Sequence, residues 1–117
     1  MRPRVPIGLA MALLAAVAVE AHPGLHHDIS RASEAIEKEP SRAGLYVERA
    51  YLERLDEEFE AALADLDQAR KLDSTEIRVA AERGMTLSAM GRYAEAEIEL
   101  SRFLALSKGT APVLVER

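Results

Sequence analysis

At 117 residues, the chain has room for one domain and no more. Apolar residues make up 49% and only 4% are aromatic, while helix-forming Ala, Leu and Glu dominate and no segment alternates apolar with polar as a half-buried strand would, so the composition points to an all-α fold. A net charge of -5 with Lys and Arg scattered singly argues against a nucleic-acid partner, and the lack of cysteine excludes disulfides, thiolate zinc sites, a Cys nucleophile and a lipid-modified Cys anchor.

Residues 1–21 read as an address. Arg2 and Arg4 give a positive start, residues 5–19 form an uncharged apolar run, and Val19-Glu20-Ala21 supplies small or tolerated residues before a cleavage point. These are the three parts of a secretory signal peptide. The run is too short to span a bilayer comfortably, and Pro6 and Gly8 weaken its first turn. An uncleaved anchor and a plain core helix are the other readings. Cleavage after Ala21 would leave 13 Lys plus Arg against 19 Asp plus Glu, a net charge of -6. The chain is then exported, periplasmic or secreted, with no membrane span left.

Residues 22–42 begin with a histidine-containing lead-in broken by Pro23-Gly24, followed by a helix from about Asp28 to Glu39 that Pro40 ends. Residues 43–76 carry two helices. The second, Phe59 to Leu72, places Phe59, Ala62, Leu63, Leu66, Ala69 and Leu72 on one stripe, with the Glu, Asp and Arg between them reading as a solvated face. The turn before it, Asp56-Glu57-Glu58, lacks glycine, so the preceding helix is expected to run on or end differently. Asp73-Ser74-Thr75 offers capping side chains for a helix that begins near Glu76. In residues 77–110, Gly91 separates two further helices. Residues 111–117 start another, with Pro112 in its first turn, where a missing N–H is no loss.

Sliding the chain on itself by 34 residues aligns Phe59 with Tyr93, Ala62 with Ala96, Leu66 with Leu100 and Leu72 with Leu106. Ala50 falls on Gly84, Arg49 on Arg83, Ala35 on Ala69, and Pro40 on Ser74. Leu114-Val115-Glu116-Arg117 lies two periods after Tyr46-Val47-Glu48-Arg49. This period, with paired amphipathic helices and the stretch Gly91-Arg92-Tyr93-Ala94-Glu95-Ala96, resembles the tetratricopeptide repeat (TPR) family over about residues 28–117. Phe103 departs from the family's small Ala at that position. The resemblance implies a TPR-like α-solenoid of antiparallel helical hairpins, about five helices after the signal peptide and the start of another. Small residues let the paired helices approach and large ones fill beside them. Both ends look incomplete and no polar capping helix closes the array, so the chain is expected to belong to a longer repeat protein, or to have a partner or a second copy on its open C-terminal face.

TPR arrays curve, and the resemblance puts the first helix of each repeat on the concave side. By repeat position the peptide-groove candidates are Val47, Tyr51, Arg54, Arg78, Ala81, Met85 and Ser88. Tyr51 and Met85 stand one period apart, an aromatic with a polar tip and a pliable thioether. Partly buried packing between repeats is the competing reading of each. The Lys/Asn clamp of one TPR subclass is absent, because Val47, Tyr51, Ala81 and Met85 hold the matching positions. His22, His26, His27 and Asp28 suggest a copper, zinc or nickel site at a cleaved N-terminus, against a plain lead-in. Otherwise no cofactor is expected. Carboxylate pairs such as Glu57-Glu58 and Asp65-Asp67 read as exposed, chance neighbours, and no nucleophile–base set or phosphate loop is present. The expectations, in order, are a non-catalytic exported scaffold that binds a protein or peptide, an envelope metal-binding protein, and a structural subunit packed on an enzyme partner.

Overall fold

The computed structural model describes residues 23–109. Among them lie five helices and no strand: α1 (Pro23–Lys38), α2 (Ala43–Leu55), α3 (Phe59–Leu72), α4 (Ile77–Ala89) and α5 (Tyr93–Ser107). The signal-peptide run, His22 and the further helix with Pro112 fall outside the described residues.

Helices α2 and α3 form one hairpin and α4 and α5 the next; α1 packs on α2, and α3 on α4. Helix α2 also touches α4, so the first helices of successive hairpins stand side by side along one wall. The all-α solenoid of helical hairpins is therefore the observed architecture. The core runs through Ile36, Leu45, Tyr46, Val47, Ala50, Ala62, Leu66, Ala69 and Val79, and Leu66 is fully buried.

Helix α3 lies where the apolar stripe puts it and α4 starts beside Glu76 as expected, but one helix start, one cap and one turn differ from expectation. Helix α1 begins at Pro23 and not near Asp28, because proline is well suited to a first helical position and Gly24 is only a mild penalty there. Helix α4 begins at Ile77, and its cap is Glu76, whose carboxylate accepts from the Arg78 backbone N–H at 3.2 Å. Asp73 instead accepts from Thr75 N at 3.0 Å and Thr75 Oγ1 at 2.7 Å, a turn of its own that precedes the helix. These hydrogen bonds hold the Asp73 carboxyl below its ordinary range.

The third difference lies in the glycine-free turn, where α2 neither runs on nor ends differently from its repeat mate. Glu58 N donates to Glu53 O at 2.8 Å, and Glu57 takes a left-handed φ of 61°. One period later Arg92 N donates to Leu87 O at 2.9 Å, and Gly91 takes φ 78°. The two helices end in the same six-to-one closure, so packing of the hairpin imposes the left-handed residue even where no glycine is supplied.

Glu57→Gly is expected to stabilise the chain by up to about 1 kcal/mol, relief of left-handed strain outweighing the added freedom of the unfolded chain, and Gly91→Ala to destabilise it by about the same amount. Urea denaturation of the two variants beside the parent checks both signs.

Candidate peptide-binding groove

Between α2 and α4 lies a cavity of about 450 Å³, lined by Val47, Glu48, Tyr51, Leu52, Arg78, Ala81 and Glu82. Four of the seven groove residues expected from sequence meet here: Val47, Tyr51, Arg78 and Ala81. Val47 is 3% exposed and serves as floor, whereas Tyr51 is 44% exposed and forms a wall. Arg54 acts from behind that wall. Its guanidinium stacks 5.4 Å from the Tyr51 ring centroid, and its Nε donates to Glu82 Oε2 at 2.9 Å. The phenol is thus held from one side by a cation that is itself paired. Arg78 is tied to Glu76 Oε1 at 3.0 Å, which raises its already high pKa.

Met85 is 42% exposed and Ser88 half-buried, but neither lines this cavity. Glu48, Leu52 and Glu82 do, and the sequence reading passed over them although Glu48 and Glu82 stand one period apart. A neighbouring cavity of about 350 Å³ shares Glu48 and Leu52 and continues along α1 past Asp28, Arg31, Ala32 and Ala35. The groove therefore runs across three helices, with an apolar floor and carboxylates on its rim.

Of the metal candidates, His22 lies outside the described residues. His26, His27 and Asp28 follow one another in the first turns of α1, and consecutive helical residues point in different directions. His26 Nδ1 lies 3.8 Å from Asp56 Oδ2. Among the described residues no group of three His, Asp or Glu side chains could hold an ion.

The expected solvated face of α3 needs correction. Asp65 is 6% exposed and receives both arms of Arg49, Nη2 to Oδ1 at 2.6 Å and Nε to Oδ2 at 2.7 Å. Arg49 Nη1 also donates to Ser33 Oγ at 3.2 Å, so one guanidinium spans α1, α2 and α3. The arrangement recurs one period on. Arg83 donates to Glu99 and to Asp67, and Arg70 donates to both oxygens of Glu99 at 3.0 and 2.6 Å. Burial alone would raise the Glu99 carboxyl; the hydrogen bonds and charge of Arg70, with the charge of Arg83, bring it below its ordinary range. The 34-residue alignment of Arg49 with Arg83 carried the signal for these pairs. Each Arg lies 16 residues before its carboxylate.

Glu53 sits beside the first pair at 8% exposure, and its buried Oε1 has no hydrogen-bond partner. Burial first, and the facing Asp65 carboxylate second, push its carboxyl up to about 8, against the pull of Arg49. The position one period later is Leu87, an ordinary core residue.

A fold comparison bears on this architecture. The chain is similar to the solved TPR domain of Arabidopsis OM64, with a TM-score of 0.68 and 24% identity, over 76% of this chain and 74% of that one. The fold is TPR-like. No protein-family model matches the sequence, and no curated protein does either. The TPR-like frame explains why α2 and α4 wall the groove: they are the first helices of their repeats, and α3 and α5 back them.

Because the Glu53 carboxyl titrates higher in the folded chain than the ordinary value of 4.5, its neutral form contributes fully below that value. The contribution is lost as pH rises through about 8. Glu53→Gln is therefore expected to gain on the parent as pH rises from 5 to 8.5, reaching several degrees in Tm, since ~1 kcal/mol moves a domain of this size by roughly 4–8 °C. Thermal melts of both proteins across that range decide it; a pH-independent difference would count against a buried, protonated Glu53.

Proposed function

We propose that this chain is a non-catalytic scaffold that binds a protein or peptide in the groove between α2 and α4. The observation that carries the reading is the cavity shared by Val47, Tyr51, Arg78 and Ala81, in the wall formed by the first helices of two repeats. Its size suits one or two apolar side chains of a ligand, its floor is apolar, and its wall carries an aromatic ring steadied by a paired Arg. An extended or helical segment with an apolar anchor, flanked by a basic residue that meets Glu48, fits these surfaces. We further propose that the chain works after export, in the periplasm or outside the cell. The positive start, apolar run and Ala21 of residues 1–21 support this. Among the described residues no helix is long and apolar enough to cross a membrane. A metal role at His22, His26, His27 and Asp28 is the weaker reading, because His26, His27 and Asp28 point in different directions from one helix.

The groove is tested by selecting peptides from a displayed random library on residues 22–117 and measuring their affinity for Ala81→Arg and Tyr51→Ala. Peptides bound in the cavity should lose about 1.4 kcal/mol or more, at least roughly tenfold in Kd, when a long cation fills it, with helicity by circular dichroism unchanged. Selected peptides indifferent to both substitutions would place recognition elsewhere.

A further inference from the structure

Helix α5 carries a row of exposed side chains at coiled-coil spacing. Glu97, Ser101, Leu104 and Lys108 follow one another at steps of four, three and four, which bring them to one face. Lys108, the C-cap residue, keeps right-handed helical backbone, so the row runs on to the end of the helix. All four side chains are exposed, Leu104 by 54%, and Ile98 flanks them at 69%. The residues that α5 buries, Ala96 and Glu99, lie on the other side, against the rest of the array. Neighbouring carboxylates are spent, Glu95 on Arg92 and Glu99 on Arg70. Among the described residues, neither the Glu97 nor the Lys108 side chain has a partner.

We propose that this face of α5 is the interface of a symmetric dimer, in which α5 lies antiparallel against α5 of a second copy. A two-fold interface asks for a face that complements itself, and this row does so in one direction only. With the axis passing between positions 102 and 103, Glu97 meets the partner's Lys108, Ser101 meets the partner's Leu104, and symmetry repeats both contacts. The small Ser101 leaves room for the leucine opposite, and Ile98 widens the apolar strip beside them. A parallel pair would set Glu97 against Glu97 and Lys108 against Lys108, so like charges oppose it. The opposite charges at the two ends of one helix are what a second copy needs and what an unrelated partner has no reason to match. The row spans three turns, roughly 16 Å, so the contact is small and the expected dissociation constant is on the order of 10–100 μM. No residue of α5 lines the cavity between α2 and α4, so pairing through α5 occupies neither copy's cavity.

Sedimentation velocity of the full 117-residue chain across roughly 5 μM to 1 mM brackets that range. The expected result is a concentration-dependent dimer. Glu97→Lys or Lys108→Glu alone should weaken it by about tenfold or more, since each puts two like-charged contacts into the pair, and E97K/K108E should restore it to within about threefold. Ile98→Asp should also weaken it, with helicity by circular dichroism unchanged, because so exposed a side chain contributes little to the fold. A monomer at every concentration, as another part of the same chain lying on α5 would give, overturns the proposal. A dimer indifferent to the single charge reversals overturns the antiparallel pairing and with it the assigned interface. None of these outcomes depends on peptide binding between α2 and α4, so the dimer and the groove reading fail separately.

Discussion

The close approach of paired helices is the constraint on which the rest of this structure depends. Gly84 lies so near α5 that an added methyl would stand 2.6 Å from Leu100 Cδ2 and 3.6 Å from the Ala96 carbonyl oxygen. Its counterpart Ala50 is fully buried, as is Ala62 one helix on. Small residues at these crossings set the hairpin spacing, and the spacing sets which side chains meet across it. Leu66 and Leu87 fill the space beside the crossings. The two first helices then stand near enough to share a cavity, but do not close it.

That tight frame brings charge inside. Arg49 and Asp65, like Arg83 and Glu99, meet across a hairpin where desolvation is costly, and the bidentate geometry and extra donors offset that cost. A guanidinium that also reaches the preceding second helix links one repeat to the next, so the pairs give the stacking a register that apolar contacts alone leave loose. Glu53 shares Arg49 with Asp65, its Oε1 3.8 Å from Arg49 Nε, and burial with the facing Asp65 carboxylate raises its carboxyl to about 8.

The groove inherits its shape from the same spacing. Tyr51 stands out because its helix is backed by α3 and steadied by Arg54, whose own charge is met by Glu82 on the neighbouring first helix. Repeat position was enough to name Val47, Tyr51, Arg78 and Ala81, which line one cavity. It did not separate them from Met85 and Ser88, which hold equivalent places beyond the point where two first helices face each other. Glu48, Leu52 and Glu82 were missed because a charged or aliphatic residue on an amphipathic helix carries no local mark of what stands opposite.

The helices, their order and their hairpin pairing were legible in the chain's residues, because a 34-residue period and an apolar stripe from Phe59 to Leu72 are local, additive signals. The fate of each charge and each turn was settled only by the tertiary structure. Asp65 and Asp67 are two residues apart on one helix, yet one is buried beneath Arg49 and the other is exposed at the next repeat. Glu57 adopts a glycine's conformation because the hairpin around it closes in one way only. Burial, ion pairing and proton affinity belong to the space between helices, and that space exists only once the helices have packed.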